Sequence, residues 1–313
     1  MDNVELPLSL DDGAPFLTAS EARAYCVDHL ALDPDHGRGR GRIGFLDRVM
    51  ARFVAQVPFQ SISVLLRGGA PTLVGAKRAV LAGEGGLCFT TNVFMQQLLV
   101  ALDFDATFAA CRLHGTLTHY TVLVHGLDGV GSAHCVDTGC GHIMPRAMAL
   151  PGGPDDAPPI YRHGHLTVRW TVEGAGPDRR LTRWHLKAEG DGRAASQMVG
   201  SVDEVAPGSS RDLFWIMDLR PQPPMAVCRS LTAQLAVYRK LRVALVRGPD
   251  LALRGYRDGE AVQAVGPELR RTRVPSPAAM VEALIAEPQL AQCFDRAQLA
   301  MAVRRADASW EGP

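Results

Sequence analysis

The amino-acid sequence predicts an α+β protein. Apolar residues recur at helical intervals up to about Ala101, short alternating runs follow Asp103, and both patterns return in the tail. A chain of 313 residues is long enough for two or three packed regions. The changes of character divide it into residues 1–103, 104–208 and 209–313.

In the first region, Ser20 with Glu21 and Ala22 behind it has the form of a helix start. Phe45, Leu46, Val49, Phe53 and Val54 predict a helix over 43–57. Residues 58–66 read as an extended piece. Gly83-Glu84-Gly85-Gly86 then breaks the chain, and a second helix begins near Cys88 and runs through Val93, Phe94, Leu98 and Leu102. In the second region the strand candidates are 107–113, 119–125, 134–137, 166–172 and 181–187. Gly190 to Ser210 has the composition of a linker. Further on, 241–247 and 251–256 flank Gly248-Pro249-Asp250 as a hairpin would, 277–286 predicts a helix, and the tail reads as helical and polar.

Charge and hydropathy exclude several classes. Lys plus Arg equals Asp plus Glu, 33 against 33, so no global field draws nucleic acid or acidic membrane. The local run Arg38-Gly39-Arg40-Gly41-Arg42 lacks interleaved aromatics and reads as a surface loop. No apolar run approaches the roughly 20 residues that span a bilayer. Met1-Asp2-Asn3-Val4-Glu5 lacks the order of a signal peptide, so a cytoplasmic protein is expected. Seven scattered cysteines, an odd number, predict reduced thiols, most of them buried fillers.

One cysteine sits differently. In Gly85-Gly86-Leu87-Cys88-Phe89-Thr90 two glycines permit a tight turn, and the helix behind them starts at the thiol. The unpaired N–H groups and positive dipole end of a helix N-terminus favour thiolate and can receive an oxyanion. Alone, the segment reads equally as a buried cysteine after a glycine turn. Two later segments add to it. Thr118-His119-Tyr120-Thr121 puts a histidine at the start of an apolar strand, and Cys135-Val136-Asp137-Thr138-Gly139 ends a strand with an aspartate before a glycine turn. Separately, His119 caps a strand and Asp137 opens a turn. Together with Cys88 they are the parts of an activated thiol: the histidine takes the proton and the acid fixes its tautomer.

Rival readings exist. His125 shares the face of His119 but lies about 20 Å along the strand, and His114 falls in a glycine-containing loop. His134, Cys135, Cys140 and His142 cluster, but strand alternation sends the first two to opposite faces and no C-x-x-C knuckle appears, so no metal site is expected.

Four segments in order resemble the arylamine N-acetyltransferase family: Pro58-Phe59-Gln60-Ser61-Ile62, Gly85-Gly86-Leu87-Cys88-Phe89, His119 in its strand, and Val136-Asp137-Thr138-Gly139-Cys140-Gly141. The likeness is strong from about residue 43 to 147 and thin afterwards. It implies a helical bundle carrying the cysteine, a β-barrel carrying His and Asp, and an α/β lid, around a core like that of cysteine proteases and transglutaminases. It also implies ping-pong chemistry with no permanently bound cofactor. Acetyl-CoA is the donor substrate, Cys88 carries the acetyl group, and an aromatic amine or hydrazine accepts it.

This chain departs from the family pattern in a group of positions. Glu84 stands where the family has Arg, Gln60 and Ser61 where it has Glu and Asn, Thr90 where it has Glu, Leu87 for Tyr and Cys140 for Phe. The first four predict an exchanged support network in which Glu84 accepts hydrogen bonds from Gln60 or Ser61. Two alternatives stay open: an amide synthase or transglutaminase-like acyltransferase using another donor, and a non-catalytic binding member of the fold. The intact Cys88, His119 and Asp137 argue against the latter.

Overall fold

The computed structural model describes residues 13–37, 41–68, 71–113, 116–139, 144–152, 159–173, 180–187, 213–222, 243–248, 250–257, 259–266 and 268–307. Helices α1 (Ala19–Asp28), α2 (Arg42–Gln56), α3 (Ile62–Arg67), α4 (Leu73–Leu81) and α5 (Cys88–Ala101) come first, with the short strand β1 (Phe59–Gln60) between α2 and α3. The start of α1 is fixed by Thr18, not Ser20: its hydroxyl accepts from the Glu21 N–H at 3.1 Å and the Glu21 carboxylate accepts from the Thr18 N–H at 2.8 Å, a reciprocal cap.

Helix α5 is buried on every side from Cys88 to Leu99, as a helix without a polar face must be. Phe16, Tyr25 and Phe53 pack on Phe94 at its centre. The extended reading of 58–66 holds only for Phe59 and Gln60. From Ile62 the chain is helical, because Ile62 and Leu65 then share one face and bury it against Leu299, Ala302 and Val303 of the tail. Gly68, at φ 75°, closes α3 in the left-handed region that favours glycine. The tail helices α6 (Pro277–Ile285), α7 (Pro288–Cys293) and α8 (Arg296–Asp307) are polar on one side only, since α8 buries that apolar stripe.

The strands form two antiparallel sheets. Eight of them, β2 (Ala106–Leu113), β3 (Thr116–His125), β4 (Ala133–Val136), β5 (Met148–Ala149), β6 (Ile160–His163), β7 (Leu166–Glu173), β8 (Arg180–Lys187) and β9 (Leu213–Gln222), pair in the order β5-β4-β3-β2-β9-β8-β7-β6. No pairing among the described residues joins the end strands, although the Tyr161 hydroxyl on β6 donates to the Ala149 carbonyl on β5 at 3.1 Å. The second sheet runs β1-β10-β11-β12-β13, with β10 (Val243–Arg247), β11 (Leu253–Arg257), β12 (Glu260–Val265) and β13 (Glu268–Arg273). Strands β10 and β11 are the hairpin expected around Gly248. The expected linker at 190–210 lies outside the described residues. Strand β9, which follows it, pairs with β2 and β8, while β1 pairs with β10.

Period-two alternation lets the larger sheet serve two cores. Phe108, Ala110, Tyr120 and Val122 face the helices, whereas Ala109, Cys111, Leu123 and Cys135 face a second cluster with Trp170 and Met217. His119 lies on β3 directly opposite Cys111 on β2.

Candidate active site

The turn before α5 is held by main-chain geometry. Gly85 has φ 67°, and a Cβ there would sit 1.9 Å from the Pro58 carbonyl oxygen, so no side chain fits. Gly86 is tied to β1 on both sides: its N–H donates to the Pro58 carbonyl, and its carbonyl accepts from the Gln60 N–H, each at 3.1 Å. The helix that follows begins at Cys88. Its first intrahelical bond of α type runs from the Thr91 N–H to the Leu87 carbonyl at 3.0 Å, so the N–H groups of Cys88 and Phe89 precede the ladder and point out of the helix end.

The turn after β4 lies directly on this helix. A Cβ on Gly139 would stand 2.6 Å from the Cys88 Cα and 2.8 Å from the Thr91 hydroxyl. That closeness brings Asp137 beside the start of α5. Asn92, one helical turn beyond Cys88 and on the same face, binds the two elements together. Its amide donates to the Tyr120 carbonyl at 2.6 Å and to Asp137 Oδ1 at 3.1 Å, and its oxygen accepts from the Thr138 N–H at 2.8 Å and hydroxyl at 2.9 Å.

The structure brings Cys88, His119 and Asp137 into one buried hydrogen-bonded chain. His119 Nε2 lies 3.0 and 3.1 Å from the two Asp137 oxygens, and a side-chain hydrogen bond links His119 to Cys88. Because the carboxylate takes Nε2, that nitrogen carries the proton and Nδ1 is left for the sulfur. Burial alone lowers the basicity of an imidazole. The charge and hydrogen bond of Asp137, followed by those of Cys88, overcome this at His119 and raise its pKa from 6.5 to about 10. Burial likewise opposes ionisation of Asp137, yet the His119 and Arg183 charges and the hydrogen bonds from His119 and Asn92 hold its carboxyl well below the usual range.

Arg183 and Asn92 were not among the residues singled out from the sequence. Arg183 Nη1 donates to Asp137 Oδ2 at 2.5 Å from strand β8, and both side chains are 1% exposed. A signal existed: Arg183 follows Leu181 by two, so it occupies an inward position of an alternating strand, where an arginine needs a buried acid. For Asn92 the signal was an amide one turn past the thiol and on its face of the helix.

The remaining candidates lie apart from this chain. His125 Nε2 is 2.9 Å from the Thr107 hydroxyl, and burial lowers its pKa. His134 pairs with Asp128 at 3.0 Å, and Cys135 is buried in the second core of the sheet. His114, Cys140 and His142 lie outside the described residues, and no group able to hold a metal occurs among the described ones. Burial raises the Cys26 and Cys135 thiols to about 11 and Cys111 well above its ordinary value, so these cysteines are inert fillers. Glu84 meets the expectation in part, accepting from Gln60 through its main chain but not through its carboxylate. Its carboxylate pairs with Arg67 at 2.9 Å, while its main-chain carbonyl accepts from the Gln60 amide at 2.9 Å. Ser61 donates instead to the Val243 carbonyl. The reason is reach: Gln60 folds back onto Ser63, and α3 presents Arg67 to the acid.

A family model described as N-acetyltransferase matches residues 42–196. Among solved structures, the arylamine N-acetyltransferase from Mycobacterium abscessus is 16% identical with a TM-score of 0.65, covering 91% of this chain and 94% of that one. The enzyme from Salmonella typhimurium is 16% identical with a TM-score of 0.65, covering 92% and 99%. The Mycobacterium marinum enzyme in complex with CoA is 12% identical with a TM-score of 0.64, covering 91% and 99%. No curated protein matches the sequence. The architecture is thus the α+β fold of these N-acetyltransferase structures, with a hydrogen-bonded cysteine, histidine and aspartate at the start of its central helix. The chain belongs to the arylamine N-acetyltransferase family, as a divergent member.

Proposed function

We propose that the protein is an N-acetyltransferase that carries an acetyl group on Cys88 from acetyl-CoA to an aromatic amine or hydrazine. The single observation behind this reading is that His119 bonds Cys88 and Asp137 at once, at the N-terminus of α5. The Cys88 thiolate attacks the thioester carbonyl, and the tetrahedral oxyanion is received by N–H groups at the helix start. The intermediate collapses to the acetyl-Cys88 thioester as the CoA thiolate leaves and takes the proton from His119. In the second half the amine nitrogen attacks the new thioester and gives its proton to His119. The amide departs and the Cys88 thiolate is restored. Thioester exchange is nearly balanced and amide formation runs downhill, so the second half draws the cycle forward.

Asp137 holds the imidazole in one tautomer through both halves. The CoA in the Mycobacterium marinum structure supports acetyl-CoA as donor here. In this reading the eight-stranded sheet, whose edges approach at Tyr161 and Ala149, is the expected barrel. The five-stranded sheet with α6 to α8 is the expected lid, so the three regions trade β1 and β9 across their borders. No described helix is long and apolar enough to cross a membrane. The free buried thiols fit a reducing cytoplasm.

Intact mass after incubation with acetyl-CoA tests the reading. An acetyl adduct in the native protein that is absent in Cys88→Ala is expected. A reactive thiol that gains no acetyl group from acetyl-CoA would pass the assignment to an acyltransferase with another donor, and an unreactive thiol would leave a binding protein.

A further inference from the structure

Asp137 is a fully buried carboxylate that faces two cations. His119 approaches from β3, and Arg183 approaches from β8, far away in sequence. The position of Arg183 is fixed independently of the acid. Its main chain pairs opposite Trp170 on β7, and its guanidinium lies 5.9 Å from the centre of the Trp170 ring. Trp170 is itself completely buried, so the arginine cannot swing away without opening the second core. The charges therefore alternate through the protein interior: Arg183 positive, Asp137 negative, then the imidazole and the sulfur.

We infer that Arg183 is a positioning residue of the proposed Cys88–His119 pair, fixing the Asp137 carboxylate and balancing its charge so that the thiolate–imidazolium form is favoured. The inference rests on the proposed role of Cys88 and His119 but not on the identity of the acyl donor. Its physical basis is charge balance. With Arg183 present, the ionised pair and Asp137 bury two positive and two negative charges. Without it, the same state buries one positive charge against two negative ones, which a desolvated site resists. The other ionisable groups around the carboxylate are Cys88 on α5, Cys111 on β2, His119 on β3 and Cys135 on β4. Burial keeps Cys111 and Cys135 as neutral thiols, so Arg183 is the cation set against Asp137 besides the histidine itself.

The sign follows directly. Removing a positive charge disfavours the thiolate, so thiol ionisation moves to higher pH. It also favours the imidazolium, so loss of that proton moves to higher pH as well. Both limbs of a bell-shaped profile shift the same way.

The test uses full-length protein and two readouts: the pH dependence of Cys88 alkylation by iodoacetamide, and steady-state acetyl transfer from acetyl-CoA. For Arg183→Met the alkylation midpoint should rise by about one pH unit, with the rate on the acid side of the native midpoint falling by up to about tenfold. A native midpoint in a folded Arg183→Met protein overturns the inference. If Arg183→Met does not fold, Arg183→Lys decides. Lysine keeps the charge but loses the planar fork, so the midpoint should stay in place while kcat falls several-fold at unchanged KM. A native kcat with only a lower melting temperature would make Arg183 a structural residue and overturn the inference. Alkylation needs no acetyl donor. A shifted alkylation profile without acetyl transfer in the native protein would therefore sink the acetyltransferase reading and leave the role of Arg183 standing.

Discussion

Strand β3 carries two histidines, and their surroundings drive them in opposite directions. At one end, His119 is raised to about 10; near the other, His125 is lowered below its ordinary value. Burial pushes both the same way, towards the neutral ring. What separates them is the partner across the strand. His125 meets the neutral hydroxyl of Thr107. His119 meets a carboxylate that is kept ionised by Arg183, by the Asn92 amide and by the Gly139 N–H at 3.1 Å. A buried histidine holds a proton only where a neighbouring acid is prevented from taking it, and that prevention is built from α5, β8 and the turn after β4, not from β3.

The comparison is broken most directly by substituting each ring. If His119 is the base of Cys88 as proposed, His119→Gln should lower acetyl transfer by about 10²–10⁴-fold. His125→Gln can keep a bond to Thr107 and should match the native rate. Equal losses in steady-state assays of the two variants would mean that the active base has been placed at the wrong end of the strand. A smaller effect is expected at Gly139, where the difference between the two ends is set by contact. The atoms 2.6–2.9 Å from a Cβ there belong to Cys88, Thr91 and Asn92, and the Cys88 atom is backbone, which cannot step aside. Gly139→Ala should cost about 1–3 kcal/mol of stability and reduce Cys88 reactivity by separating Asp137 from the helix. An unchanged unfolding midpoint and alkylation rate would show that the turn relaxes freely.

Much of this was legible in the residues. Alternation located β2, β3, β4, β7 and β8, and helical spacing located α2 and α5, because the apolar residues of each recur at the period of its own element. The three side chains that meet at the start of α5 were legible because a thiol just after Gly-Gly-Leu, a histidine opening an apolar strand and an aspartate before a glycine turn are each unusual in their local setting. What stayed hidden depends on partners distant in sequence. Residues 62–66 are apolar enough for strand or helix, and only the stripe on α8 makes the helix pay. Strand β9 pairs with β8, the strand before it, and with β2, which lies far back in the chain. Arg183 lies 46 residues from the acid it serves, and no local pattern joins them. Glu84 was read against Gln60 and Ser61 because they align in the motif, whereas α3, which the extended reading left out, supplies Arg67.

The smallest expected effect sharpens the comparison through stability. Raising the His119 pKa from 6.5 to about 10 on folding means that the folded chain binds this proton more tightly than the unfolded chain does. Its contribution is fully present below about pH 6.5 and is lost as pH rises through about 10. His125 has the opposite sign: its folded pKa is lowered, so its contribution is present above 6.5 and is lost as pH falls. Melting temperatures of native, His119→Gln and His125→Gln proteins from pH 5.5 to 9.5 separate the two. The gap between native and His119→Gln should narrow steadily towards alkaline pH, by a few degrees for a shift of this size. The gap for His125→Gln should move the other way, at the acid end, and by less, because that ring is only half-buried. Parallel curves for both variants would mean that the carboxylate at 137 does not hold a proton on His119, and the electrical difference between the two ends of the strand would disappear with it.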